Sequence, residues 1–257
     1  MKLIMEITFM GTGTSQGVPV VGCKCQVCKS KLSKNKRTRS SLWIRHNSQN
    51  ILIDTATELR LQSLREDLNS LAAILFTHFH ADHVGGLDDI RIFNQRQKEA
   101  IPCYANSITM KELKVMYSYI FEKTNMGDGK PRLIANTVEE QSFNLFGLLI
   151  EPIPVYHGKL PILGYKFNNI AYITDCSLIT NDSLQKLYNL DLLILGVLRY
   201  RVHPTHFNVN EALDLIKELK PERTLFTHIS HELDHNLLNR ELPPRVALAY
   251  DGLSISF

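Results

Sequence analysis

No apolar run in this chain approaches the roughly 18 to 20 residues that a helix needs to cross a bilayer, so no membrane partner is expected. A cleavable leader is not expected either. Met1-Lys2-Leu3-Ile4-Met5-Glu6-Ile7 puts an acid inside a short apolar run and offers no small-residue cleavage site. It reads as a first strand, and the protein is expected to be cytoplasmic. Charge of one sign is scarce: 29 Lys and Arg against 26 Asp and Glu leave +3, too little to argue for nucleic acid by itself. Cysteine is sparse too. Five is an odd count, and a disulfide framework is not expected in a reducing cytosol. Internal repeats and low-complexity tracts are absent. What remains, 257 residues that are 44% hydrophobic and 21% charged, is ordinary globular usage, enough for one large core or two small ones.

Against that plain background one stretch stands out. Thr77-His78-Phe79-His80-Ala81-Asp82-His83 holds three imidazoles and a carboxylate within six residues. The apolar run Ala72-Ala73-Ile74-Leu75-Phe76 before it reads as a buried strand, and Val84-Gly85-Gly86-Leu87 after it opens a helical pattern. His78 and His80 are two apart and can face one side of an extended segment. Asp82 and His83 are adjacent and point differently, which suits a second ion beside the first. Imidazole plus carboxylate favours zinc, or a borderline metal such as manganese or iron.

Three cysteines cluster as Cys23-Lys24-Cys25-Gln26-Val27-Cys28, a metal-ligand spacing that needs a fourth donor from elsewhere. Cys103, in Ile101-Pro102-Cys103-Tyr104, and Cys176 read as packed small apolar residues and not as reactive thiols.

The order of elements sets the fold class. A strand is expected over 3–10, then a long polar loop over 11–41. A hairpin follows, Leu42-Trp43-Ile44-Arg45 against Asn50-Ile51-Leu52-Ile53-Asp54, turning at His46-Asn47-Ser48-Gln49. An amphipathic helix is expected over 57–67, on Leu59, Leu61, Leu64 and Leu68. The motif strand, a helix to about Ala100 and a second helix over 107–123 come next. Asn125-Met126-Gly127-Asp128-Gly129-Lys130-Pro131 breaks the chain. Strands are expected near 133–138, 147–155, 163–167 and 170–174, then helix 180–188, strand 192–195, helix 208–219 and strand 224–227. Strand-rich halves with interrupting helices predict an α/β protein, a four-layer αββα sandwich, as one domain over 1–257. The consecutive strands over 133–174 argue against a TIM barrel.

Three apolar strands end on a candidate ligand: Glu151 to Tyr156 on His157, Ala171 to Thr174 on Asp175, and Leu225 to Thr227 on His228. With the first cluster these make seven donors, a number that suits two ions.

His78-Phe79-His80-Ala81-Asp82-His83 followed in order by His157, Asp175 and His228 resembles the metallo-β-lactamase superfamily of hydrolases. The opening Phe9-Met10-Gly11-Thr12-Gly13-Thr14-Ser15-Gln16-Gly17-Val18-Pro19 and the three cysteines are similar to the phosphoribosyl cyclic-phosphate phosphodiesterase branch, close to the tRNA 3′-processing endonucleases. The resemblance runs nearly the whole chain, to Ala249-Tyr250-Asp251-Gly252-Leu253. It implies an αββα sandwich with a two-metal site, zinc or manganese. His78, His80 and His157 would hold one ion, and Asp82, His83 and His228 the other. Asp175 would bridge them, and Asp54 would orient ligands. It also implies a structural zinc on Cys23, Cys25, Cys28 and a histidine: His231 matches that position, with His235 as rival.

The Gly-Thr-Gly-Thr-Ser-Gln-Gly loop is not a dinucleotide fingerprint, since its glycines fall as G-x-G-x-x-x-G and a long loop follows. Gly11, Gly13 and Gly17 read as residues that permit tight turns. Arg199-Tyr200-Arg201-Val202-His203-Pro204-Thr205-His206 offers two proton donors for a leaving alkoxide. His206 is preferred, because the related endonucleases place a catalytic histidine just before a helix; His203 is the rival. Asp82 is counted with the catalytic residues as well as with the ligands. Arg199 and Arg201 are candidates to hold a phosphate. The bases between Lys29 and Arg39 read first as a solvated loop. The chain lacks the long basic, glycine-rich arm with which those endonucleases grip tRNA. The expected substrate is therefore a small cyclic phosphodiester, with nucleic acid less favoured. An RNA 3′-end nuclease, a thioester or lactam hydrolase and a non-catalytic metal-stabilised module are the alternatives, and a homodimer is the candidate assembly.

Overall fold

The computed structural model describes residues 5–122 and 129–257. Met1–Ile4 of the first-strand reading, Lys123 of the expected helix and Asn125–Asp128 of the expected break lie outside them. The chain divides into two compact units, Met1–Gly11 with Ser40–Glu139 and Gly252–Phe257, and Thr12–Arg39 with Glu140–Asp251.

The first unit holds β1 (Glu6–Gly11), β2 (Ser41–His46), β3 (Gln49–Ile53), β4 (Ala73–Leu75), β5 (Ile101–Ala105) and β6 (Leu133–Thr137). The second holds β7 (Phe143–Leu145), β8 (Leu148–His157), β9 (Leu160–Phe167), β10 (Ile170–Ile173), β11 (Leu178–Ile179), β12 (Leu192–Gly196), β13 (Thr224–Thr227) and β14 (Val246–Leu248); β15 (Ser254–Ser256) returns to the first. The first sheet runs β15-β1-β2-β3-β4-β5-β6. Its early pairs are antiparallel, and β3-β4, β4-β5 and β5-β6 are parallel. The second runs β11-β8-β9-β10-β12-β13-β14, with β7 beside β8, and switches to parallel pairing at β10. The parallel strands are the ones written as unbroken apolar runs, Ala73-Ile74-Leu75 and Leu192-Leu193-Ile194-Leu195, every residue of them buried. A strand covered on both faces needs no polar alternation.

Each sheet carries helices on its own core. In the first unit Leu59, Val84, Leu87, Ile90, Phe93, Met110 and Leu113 pack with Leu52, Ile74, Phe76 and Cys103. In the second, Leu187, Val209, Ala212, Leu219 and Leu238 pack with Ile173, Leu195 and Phe226. The hairpin turns where the sequence placed it, with Asn47 and Ser48 at φ 50° and 61°, the two-residue turn whose twist matches paired strands.

The helices differ more from expectation. The 57–67 segment is helical only over Leu59–Arg65, and Leu61 and Leu64 point to solvent while Leu59 and Leu68 are buried. The helix expected to about Ala100 is three pieces, Ala81–Val84, Leu87–Ile90 and Arg91–Gln97. The helix expected over 107–123 breaks at Tyr117, whose φ of −122° and ψ of 43° separate Ser107–Met116 from Ser118–Phe121. The long polar loop contains a short helix, Gln26–Lys29. Among the described residues no helix is long and apolar enough to cross a membrane.

Candidate metal centre

In the first unit the carboxyl ends of parallel strands present the donors. Asp54 follows β3, and its amide donates to Leu75 O at 2.9 Å. Its backbone is left-handed, φ 62°. One carboxylate oxygen accepts from the Thr77 amide at 2.8 Å. The other accepts from the Thr77 hydroxyl at 2.8 Å and lies 2.7 Å from His83 Nδ1. Burial raises the Asp54 pKa, against the pull of His83 and the Thr77 hydrogen bonds. Thr77 Oγ1 also lies 3.0 Å from His78 Nδ1. Both rings are thus anchored at Nδ1, so Nε2 is the nitrogen each could offer to a metal ion. His83 Nε2 lies 3.3 Å from Asp82 Oδ2, and the His78 ring centre lies 4.6 Å from that of His80 and 4.2 Å from that of His83. His78, His80, Asp82 and His83 are therefore brought together. Gly86 lets the backbone close behind them: a Cβ there would meet Ala56 O at 2.2 Å.

In the second unit β8 ends on His157, and Asp175 and His228 follow β10 and β13. Asp175 and His228 are again left-handed, φ 51° and 56°. His228 Nδ1 lies 2.9 Å from Asp175 Oδ1, and its Nε2 lies 3.1 Å from Thr14 Oγ1. His157 Nδ1 donates to Thr205 O at 2.8 Å. His206 stacks on His228, centroids 5.0 Å apart and 19° from parallel, and sits 4.6 Å from His157. Donor atoms of His157, Asp175 and His206 lie within 4.8 Å of one another. Burial pushes the His206 imidazole down to about 3, although Asp175 opposes this. Its ring is neutral at neutral pH. His203 is 5.0 Å away. Its Nδ1 accepts from the Thr205 amide at 3.3 Å, so a neutral His203 carries its proton on Nε2. Burial, with Arg199 next, lowers its pKa as well.

The same unit brings Cys23, Cys25, Cys28 and His231 within 4.8 Å of one another. His231 Nδ1 is 3.3 Å from Cys23 Sγ and 3.4 Å from Cys25 Sγ. The Cys28 amide, donating to Cys25 Sγ at 3.4 Å, does most to lower that thiol to about 6, whereas burial pushes Cys28 up to about 11. His235 is placed elsewhere, its Nδ1 3.2 Å from Arg37. Cys103 and Cys176 are buried, which drives both thiols up to about 12, the state of packing residues.

Two readings change on the structure. The basic stretch is not simply a solvated loop. Arg37 is buried and donates to Thr12 Oγ1 and Ala249 O, both at 2.7 Å. Lys36 donates to Cys28 O, Arg39 to Ser15 O, and the Lys34 ammonium lies 4.3 Å over the Tyr250 ring. Arg199 and Arg201 face a carboxylate: Arg201 lies 2.9 Å and Arg199 3.6 Å from Glu232. Among the expected glycine turns, Gly17 has φ +62°, while Gly13 serves close approach, its Cβ position 3.0 Å from Arg37 O and Thr38 O. Thr14, Thr77 and Glu232 were not singled out from the sequence. Only Thr77, one residue before His78, carried a signal there.

A model of the beta-lactamase superfamily domain matches residues 49–229. The chain is 40% identical to the crystal structure of a diphosphatase from the PhnP family, with a TM-score of 0.93, covering 99% of this chain and 97% of that one. It is 38% identical over 256 residues to an octanoyltransferase of Porphyromonas gingivalis, covering 97% of this chain and 51% of the relative, so it spans about half of that protein's length. Human short-form tRNase Z shares the fold at TM-score 0.68 and 19% identity, with 97% and 98% covered. The chain belongs to the metallo-β-lactamase superfamily of metal-dependent hydrolases, with its αββα fold, and within it stands with the PhnP family. That family implies divalent metal ions, usually zinc, and the imidazole and carboxylate donors in each unit fit such ions.

Proposed function

We propose that this protein hydrolyses a small cyclic phosphodiester, of the phosphoribosyl cyclic-phosphate or cyclic-nucleotide kind. In this reading His78, His80 and His157 would hold one divalent ion, zinc or manganese, Asp82, His83 and His228 would hold a second, and Asp175 would serve as a shared ligand. Cys23, Cys25, Cys28 and His231 would hold a structural zinc. Bound ions of this kind lower the pKa of water toward about 7 and neutralise charge that builds on a phosphoryl group. The chain's own residues do the rest. Asp54 and Thr77 fix the rings of His83 and His78, and Thr205 O fixes that of His157. Hydrolysis releases one proton from the attacking water and delivers one to the leaving oxygen. His206, neutral in its buried place, would hydrogen-bond the leaving oxygen through its N–H and pass that proton on only as it regains the one from water, with His203 beside it to relay it.

The observation that carries the reading is the convergence of His157, Asp175 and His206. A proton-handling imidazole stands among candidate ligands, which a purely structural metal site does not need. An RNA 3′-end nuclease is less supported, because Arg37, Lys36, Lys34 and Arg39 are engaged within the fold. A second reading, hydrolysis of a diphosphate ester, is favoured by the 40% identity to the PhnP-family diphosphatase.

The test is a substrate panel on protein loaded with zinc or manganese: cyclic and linear phosphodiesters, diphosphate esters, a thioester and a tRNA with a 3′ trailer. Highest kcat/KM on a five-membered cyclic phosphodiester is expected. Turnover of the diphosphate esters alone would favour the second reading, and cleavage of the tRNA alone would overturn both.

A further inference from the structure

The loop 199–206 is pinned at its base by backbone: the Leu198 amide donates to Phe207 O, and the Ser230 amide to Leu198 O, both at 3.0 Å. Its tip is held differently. Arg199 Nε donates to Arg201 O at 3.3 Å and its Nη2 to Val202 O at 3.2 Å, so one guanidinium staples the turn that leads into His203. That guanidinium is backed by Glu232, whose carboxylate also takes both Arg201 Nη2 at 2.9 Å and Arg201 Nε at 3.3 Å. Glu232 is the residue directly after His231, and its own amide donates to Ser230 Oγ at 3.3 Å. One carboxylate therefore joins the Cys₃His cluster to the histidine loop.

We propose that Glu232 is a positioning residue, which clamps Arg199 and Arg201 against the Cys₃His corner and thereby holds His203 and His206 where proton transfer needs them. The proposal rests on the reading of that pair as the proton-handling groups. Arg199 and Glu232 are about a quarter exposed and Arg201 is largely exposed, and ion pairs open to solvent in this way add little to global stability. Its effect belongs to the placement of the loop, where an error of about 1 Å costs up to a hundredfold in rate.

The experiment uses the full chain loaded with zinc, as wild type, Glu232→Ala, Glu232→Gln, Arg199→Ala and the double variant Glu232→Ala/Arg199→Ala. Hydrogen exchange of the 199–206 amides is read beside metal content, melting temperature and kinetics. In Glu232→Ala these amides are expected to exchange about tenfold faster or more. Metal content should be unchanged and the melting temperature within about 2 °C. The kcat should fall roughly ten- to a hundredfold with a smaller change in KM, and Glu232→Gln, which keeps one acceptor, should lie between. The double variant should be no worse than Arg199→Ala, because both act through one clamp. Unchanged exchange at 199–206, additive losses, or loss of the Cys₃His metal in Glu232→Gln would each overturn the proposal. If exchange responds as expected while wild type hydrolyses no phosphodiester, the clamp stands and the proposed function falls.

Discussion

The Asp54 carboxylate and His83 Nδ1 lie 2.7 Å apart, and neither side chain reaches solvent. The same carboxylate takes both hydrogen bonds that Thr77 offers, and Thr77 touches His78. One buried acid thus sets the orientation of two imidazoles. Asp54→Asn keeps the shape but loses the charge-assisted bond to His83. Metal affinity should weaken by about 10- to 100-fold, read by competition with a chromophoric chelator. An unchanged affinity would leave Asp54 a purely structural acid.

Protein purified without chelator should carry about three ions per chain, two from the histidine-rich set and one from the Cys₃His set. Cys25→Ser should remove one of them and lower the melting temperature, because zinc affinity in such a cluster is folding energy. Elemental analysis and calorimetry decide it, and wild-type values in both would mean the cysteines hold no structural ion.

Asp82→Ala and His206→Ala should fail differently. The first should lose metal along with activity, since Asp82 is a candidate ligand. The second should keep its metals while turnover drops by roughly 10²–10⁴. The loss should shrink for a nitrophenyl phosphodiester, whose leaving group needs little protonation. If instead His203→Ala alone shows that dependence on the leaving group, the two histidines exchange roles.

Stability should depend on pH through His235. Burial, then Arg37 and Lys34, lower its pKa from 6.5 to about 4, with Asp234 opposing. Between those values the unfolded chain binds the proton and the folded chain does not. The stability this group contributes is therefore complete above about pH 6.5 and is lost as pH falls toward 4, by up to roughly 3 kcal/mol. Urea unfolding from pH 4 to 7 should show the slope, and His235→Gln should flatten it.

The clustering of His78, His80, Asp82 and His83 was legible because the four are nearly contiguous, and His157, Asp175 and His228 stood out because each closes an apolar strand. That Asp54 reaches Thr77 and His83, or that Thr14 lies against His228, could not be read, since those pairs are 23 to 214 residues apart and no period links them. The strands near the carboxyl end, Val246–Leu248 and Ser254–Ser256, and the helix His235–Glu241 were missed because segments of three to seven residues carry too little periodicity. Leu61 and Leu64 misled for the opposite reason: a leucine count at near-helical spacing does not say which leucines face the core. The basic stretch misled because charge patterning treats every base as solvated, and Arg37 is buried.

The left-handed backbone at Asp54, Asp175 and His228 narrows the chemical alphabet open to these positions. Aspartate, asparagine and histidine enter that conformation several-fold more readily than other side chains, whereas a bulky or branched residue meets its own carbonyl. Glutamate and cysteine are equally good donors to a divalent ion, yet neither shares that tolerance. A glutamate at 175 would bring both a longer reach and a backbone reluctant to turn. With Asp175 and His228 as ligands in the proposed set, conformation and coordination would be selected together at those two corners, which leaves aspartate and histidine as nearly the whole vocabulary there.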